Sequence, residues 1–173
     1  LFCGGGTPTC LPAGALKMIL DELRYSFSLM AGCEITVEAN PGTVDAAGLE
    51  TLLKAGVNRL SLGVQSFNDG LLCMLGRIHN TAQALEAVSL ARTAGFANLN
   101  LDFIFGIPGQ TLSDWQDTLA QAAALGPEHI AAYGLQLEEG TPLAQGVGRG
   151  EICACPEDLE LMMYRHAVEY LNA

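Results

Sequence analysis

Three stretches of the chain place apolar and polar residues on alternate positions, and this limits the possible folds more than any other feature. In NLNLDF (98–103), Leu99, Leu101 and Phe103 share one face of an extended strand, and Asn98, Asn100 and Asp102 share the other. NRLSLGVQ (58–65) repeats the arrangement, with Leu60, Leu62 and Val64 alternating with Arg59, Ser61, Gly63 and Gln65. In EITVEAN (34–40), Ile35 and Val37 oppose Thr36 and Glu38. Helix-like stretches separate these strands, which implies parallel pairing through right-handed crossovers. A parallel sheet covered by helices on both faces reads as continuously apolar. Here each strand gives one face to polar groups, so the helices can cover only the other.

The rest of the chain continues the alternation. Residues 1–3 read as the end of a strand. Residues 13–29 read as a helix, with apolar Leu16, Ile19, Leu20, Leu23 and Phe27. The strand at 34–40 is closed by Pro41-Gly42, and a short helix at 45–55 is stopped by Gly56. A strand at 58–67, a helix at 81–94 ending at Gly95 and a strand at 98–106 follow. Thr111 and Asp114 fit a capping box that opens a helix to about residue 125. A strand at 129–138 and a helix at 156–171 complete the series. The fold class is α/β, with about five parallel strands and flanking helices. A doubly wound sheet and a barrel-type sheet both accommodate the order, and the polar strand faces favour the barrel. A closed eight-stranded barrel fills its interior with branched apolar side chains. A partial (β/α) barrel around a ligand explains a polar interior better than the alternative, in which these side chains only hydrogen-bond each other.

The chain has 173 residues, enough for one domain with a substantial core; 50% are hydrophobic and 16% charged. No run reaches the roughly 18 apolar residues of a membrane span, so membrane association is not indicated. No signal peptide is seen. A formal net charge of -11 argues against nucleic acid as a partner. The six cysteines form no Cys-x-x-Cys, and Cys153 and Cys155 are poorly spaced for zinc. Most of them read as small buried hydrophobes in a reducing compartment, which makes the cytoplasm the expected location. His79, His129 and His166 fall on separate elements without metal-ligand spacing; His79, in the LGRIH loop, is a candidate supporting residue behind a site, His129 at a strand start reads as structural, and Trp115 and Tyr133 read as packing residues. The opening Leu lies in a strand already running into its turn, so the chain is expected to be a piece of a longer protein.

That turn, LFCGGGTPT, carries three consecutive glycines. Glycine loses more backbone entropy on folding than any other residue, so the run needs a reason. A tight turn requiring positive φ is one. A polar group approaching exposed N–H groups at the strand's C-terminal end is another, and an ordinary barrel enzyme could bind a phosphorylated substrate there. The run lacks the spacing of a P-loop or of G-x-G-x-x-G.

GGGTPT, EITVEANPGTVD, GVNRLSLGVQSFND, LGRIH, NLDFIFGIPGQT and PEHIAAYGLQLEEGTPL, in this order and spacing, resemble the radical S-adenosylmethionine proteins of the oxygen-independent coproporphyrinogen III oxidase group. The EANPGT and LEEGTPL variants resemble its haem-chaperone branch (HemW type). The resemblance covers residues 1–143 and implies the core of a partial barrel of the radical SAM type. From 144 onward it is weak, and 144–173 are expected to start a connection and helix toward a C-terminal domain outside the chain.

The resemblance implies S-adenosylmethionine as cofactor. Gly5, Gly6 and Thr7 match the turn that contacts the amino end of its methionine part, and Glu38 matches a strand-end carboxylate beside it. The alternative for Glu38 is a buried carboxylate capping the Pro41-Gly42 turn. Gln65 and Asp102 match residues that hydrogen-bond the ribose hydroxyls, a task suited to an amide and a carboxylate. Arg77 matches the residue that pairs with the cofactor carboxylate, where a guanidinium offers two parallel donors. Gly134 matches a small strand residue beside the adenosine. The strand faces select Glu38, Gln65 and Asp102 independently; Arg77 and Gly134 rest on the resemblance.

The family also holds a [4Fe-4S] cluster through Cys-x-x-x-Cys-x-x-Cys, placed upstream of the GGGTPT turn. This chain has no such motif, and none of its cysteines has the spacing to replace it. The family reaction passes an electron from the cluster to the sulfonium, breaking a C–S bond to give a 5′-deoxyadenosyl radical. The chain by itself is therefore expected to be inactive and without catalytic or metal-ligating residues, while its parent protein carries the cluster. The function implied is that of a haem chaperone that binds haem and passes it to an acceptor protein. The alternative is oxygen-independent coproporphyrinogen III oxidase, which decarboxylates a porphyrinogen.

Overall fold

The computed structural model describes residues 1–172. Its centre is one sheet of five parallel strands, β1 (Phe2–Cys3), β2 (Thr36–Ala39), β3 (Arg59–Gln65), β4 (Leu99–Phe105) and β5 (His129–Gly134), in that spatial order. The order has no switch point. Right-handed crossovers that always step the same way put every helix on one face of the sheet and leave the other face open, as in a barrel wall. The expected α/β fold with about five parallel strands is present.

The covered face is the core. Leu60, Leu62, Val64, Leu99, Leu101 and Phe103 have no solvent exposure. Over them lie α1 (Ala13–Ser26), α2 (Ala46–Lys54), α4 (Thr81–Ala94), α5 (Leu112–Ala124) and α7 (Glu157–Leu171), with short helices α3 (Asp69–Met74) and α6 (Pro142–Gly148) at the strand tips. The buried residues of α4 are Ala84, Ala87, Val88 and Ala91, small enough for the helix to lie close to its neighbours. Trp115 is fully buried, its Nε1 donates to Met163 O at 2.9 Å, and its ring centre lies 5.5 Å from that of Phe105. It is a packing residue that ties α5 to α7.

Helix boundaries follow side-chain chemistry. Asp45 accepts from Gly48 N at 2.7 Å. Asn80–Gln83 and Thr111–Asp114 form capping boxes, and α4 ends at Gly95 with φ 111°. The helix expected over 13–29 stops at Ser26, because Phe27 turns to extended backbone. Of the expected apolar set, Leu16 and Leu20 are buried, and Ile19 and Phe27 are exposed. The last strand ends at Gly134, short of 138. Helices α3 and α6 escape a periodicity reading because they span six and seven residues. None of the six cysteines is buried as expected: Cys10, Cys73 and Cys153 are exposed, and Cys3, Cys33 and Cys155 are half-buried. They lie on an edge strand, a short helix and connections, away from the core faces of the central strands. Among the described residues no helix is long and apolar enough to cross a membrane.

Candidate functional site

The open face of the sheet ends in a cleft of about 950 Å³ at the C-terminal tips of the strands. Gly6, Thr7, Glu38, Gln65, Arg77, Asp102 and Gly134 all line it, so seven of the eight residues singled out from sequence converge on one cavity. The eighth, Gly5, touches it indirectly: its N–H donates to Glu38 Oε2 at 3.1 Å.

That bond explains the glycine run. A side chain at Gly4 would place its Cβ 2.7 Å from Glu38 Oε2 and 2.4 Å from the Phe2 ring. Gly5 and Gly6 adopt φ of 88° and 59°, a region that suits glycine. The positive φ expected of a tight turn is found at Gly5 and Gly6, and the polar group at the backbone bonds the Gly5 N–H while crowding Gly4. The polar group against the backbone is the protein's own carboxylate, whose charge works against a phosphate at this turn. Nor does Glu38 cap the Pro41-Gly42 turn; Asn40 does, its Oδ1 accepting from Gly42 N at 3.0 Å.

Sheet register then aligns a polar row across four strands, Glu38 beside Ser61, Ser61 beside Asn100 and Asn100 beside His129. Ser61 Oγ donates to Asp102 Oδ2 at 2.9 Å, and Asn100 Nδ2 donates to Asp102 Oδ1 and to Ser61 Oγ, each at 2.7 Å. Asn100 Oδ1 also bonds His129 Nδ1. Part of the polar face therefore does satisfy itself. Ser61, Asn100 and His129 act as a frame, and the carboxylate they orient, Asp102, borders the cleft.

Gln65 is held differently. Between Leu62 and Gln65 the register against β4 slips, and Gln65 has φ 69°, the one non-glycine residue with positive φ among those described. Such backbone is costly for a side-chain-bearing residue and clusters at functional sites. Gly63 has no side chain because a Cβ there would sit 2.7 Å from Gln65 Nε2.

Arg77 lies in the loop between α3 and α4. Asp69 closes this loop by accepting from Thr81 N at 2.8 Å and Thr81 Oγ1 at 2.7 Å, bonds that hold its carboxyl below the usual range. Among the described residues Arg77 has no ion-pair partner, so its charge is available to the cleft. Partial desolvation lowers its basicity from the ordinary guanidinium value.

On β5 the side chains differ from expectation. A Cβ at Gly134 would meet Glu160 Oε1 at 2.8 Å and the Phe105 ring at 3.5 Å, so its bare face looks toward α7 and its backbone borders the cleft. The cleft-facing residue of this strand is Tyr133, which is exposed and not the packing residue its type implied. Burial, then the negative charges of Asp102 and Glu38, raise its phenol above the ordinary value, and Arg59 partly offsets them. Strand alternation carries the signal: Tyr133 shares a face with His129 and Ala131, which pair with Asn100 and Asp102.

A family profile described as the radical SAM superfamily matches residues 1–122. The chain belongs to that superfamily. It is 45% identical over 144 residues to the heme chaperone HemW of Haemophilus influenzae, covering 83% of this chain and 38% of that protein. It is 37% identical over 174 residues to HemW of Bacillus subtilis, covering 100% of this chain and 46% of the relative. The coproporphyrinogen III oxidase HemN of Escherichia coli, a radical SAM enzyme, superimposes with a TM-score of 0.85 at 27% identity, over 99% of this chain and 39% of that one. The chain thus spans less than half the length of these relatives.

Radical SAM proteins imply two groups, and this chain suits them unequally. A carboxylate paired with a main-chain N–H, an amide carried on positive-φ backbone, a second carboxylate and an unpaired guanidinium around one cleft fit the amino acid and ribose parts of S-adenosylmethionine. A [4Fe-4S] cluster finds no such fit. No group of three or more His, Cys, Asp or Glu side chains among the described residues is placed to hold a metal.

Proposed function

We propose that this chain is the S-adenosylmethionine-binding part of a longer radical SAM protein that binds haem and passes it to an acceptor protein. The observation that carries the cofactor assignment is the convergence of Glu38, Gln65 and Asp102, from three successive strands, on one cleft closed by the Gly5–Gly6–Thr7 turn. Glu38 and the turn hold the amino end of the ligand. Arg77 takes its carboxylate with two parallel donors. Asp102 accepts from the ribose hydroxyls, Gln65 donates to them or accepts from them, and the backbone of Gly134 borders the adenosine. Bound S-adenosylmethionine supplies an activated sulfonium, the starting point of one-electron chemistry in this superfamily. Among this chain's own groups, the Ser61–Asn100–His129 frame keeps Asp102 oriented as an acceptor.

The haem role rests on relatives named as heme chaperones at 36–45% identity. Haem titration of the full-length protein tests it. A Soret change with transfer to an acceptor is expected; neither change nor transfer removes the reading. A second reading, oxidative decarboxylation of coproporphyrinogen III, draws on the HemN superposition. Anaerobic turnover of the full-length protein to protoporphyrinogen with release of 5′-deoxyadenosine would select it instead.

A further inference from the structure

Of the three histidines only His79 is buried. It follows Arg77 by two residues, and its ring spans two other segments. Nδ1 lies 3.1 Å from Asn40 Oδ1, and Nε2 lies 3.1 Å from the Val64 carbonyl oxygen. Asn40 Oδ1 also accepts from Gly42 N, so the oxygen of that amide is the atom facing the ring. Asn40 ends the stretch that carries Glu38, and Val64 precedes the positive-φ Gln65. One side chain thus joins the end of β2, the irregular end of β3 and the loop of Arg77, without lining the cleft itself.

We propose that His79 is a positioning residue that braces these three segments, fixing Glu38, Gln65 and Arg77 relative to one another and closing fully when an anionic group docks on Arg77. The proposal rests on the S-adenosylmethionine reading of the cleft. Both ring nitrogens face acceptor oxygens. A neutral imidazole has one N–H and satisfies one of them, while the imidazolium satisfies both. Burial first, and then the charge of Arg77, pull the ring below its ordinary value of 6.5, and the Val64 bond opposes them. Its two hydrogen-bond partners, the Asn40 amide just after β2 and the Val64 carbonyl of β3, are both uncharged. A carboxylate on Arg77 offsets the opposing charge, so binding draws a proton onto His79 and completes the second bond.

Calorimetric titration of the chain with S-adenosylmethionine, in two buffers of different ionisation enthalpy between about pH 6 and pH 7.5, reads this directly. The wild type takes up protons on binding. 5′-Methylthioadenosine, which lacks the amino-carboxylate end, binds without proton uptake. His79→Phe fills the space without donors, loses the uptake and weakens affinity about tenfold, as expected for two ordinary hydrogen bonds. His79→Gln keeps a donor and recovers part of that affinity; it carries the comparison if His79→Phe does not fold. Undiminished affinity in folded His79→Phe overturns the proposal, as does an equal loss in both variants that only follows their melting temperatures. If the wild type does not bind S-adenosylmethionine at all, the cofactor reading fails. Amide exchange without ligand then decides the brace: faster exchange in His79→Phe confined to 40–43, 63–66 and 75–80 supports it, and unchanged exchange there overturns it.

Discussion

Neighbouring residues of β3 and β4 live in opposite surroundings. Leu60, Leu62, Leu99 and Leu101 are sealed beneath the helices, while Ser61, Gly63 and Asp102, one residue away, look into the cleft or frame it. The first set stabilises the fold by removing apolar area from water, roughly 25 cal/mol per Å². In the second set Ser61 and Asp102 bond within the frame, and Glu38, Gln65 and Arg77 line the cleft beside them. The two sides share a backbone but little of their energetics. Stability and ligand binding should therefore respond to different substitutions, even at adjacent positions.

The largest effect belongs to the sealed side. Leu101→Ala is expected to lose about 2–5 kcal/mol of stability by denaturant titration, with the affinity of the still-folded fraction for S-adenosylmethionine nearly unchanged. On the open side, Glu38→Gln removes the charge beside the Gly5 N–H and should weaken S-adenosylmethionine binding about tenfold to a hundredfold by calorimetry, while the unfolding midpoint barely moves. A large stability loss in this variant would show the two sides to be coupled. Gly63→Ala adds a methyl against the far end of a flexible side chain, Gln65 Nε2, so the amide is displaced at little cost to the fold. A few-fold drop in affinity is expected, with a melting temperature close to wild type. The smallest effect is acid sensitivity on the helix side. Bonds from Thr111, and then Asn68, hold the Asp114 carboxyl below its usual range, so this cap is intact above about pH 4 and is lost as pH falls through the lowered value. Asp114→Asn should remove a contribution of at most about 1 kcal/mol and flatten stability against pH in that window.

How much of this was readable from sequence follows the same division. Alternation within a strand is a local property, so the core face and the candidates Glu38, Gln65 and Asp102 could be read from residue order. The parallel arrangement followed from alternating elements. Arg77 and Gly134 came from resemblance alone, because a loop and a strand end carry no periodicity. Tyr133 was misjudged because its surroundings depend on which residues of β4 lie opposite it, a matter of register. At His79 the LGRIH loop pointed to a supporting residue, but its partners were hidden: it links residues 39 and 15 positions away through a turn and a register slip that no single segment encodes. Gly134 was selected for smallness toward the ligand, yet Glu160 of α7 is what its missing side chain would strike.

The central claim is that the open side of this sheet, at the carboxyl tips of β2, β3 and β4, receives S-adenosylmethionine. Amide hydrogen exchange of the chain with and without that compound tests it most directly. The account predicts slowed exchange at residues 5–7, 38–40, 63–66, 75–79 and 102–104, with the helix-covered side unchanged. Slowing confined to the outer helices, or none at saturating ligand, would contradict it.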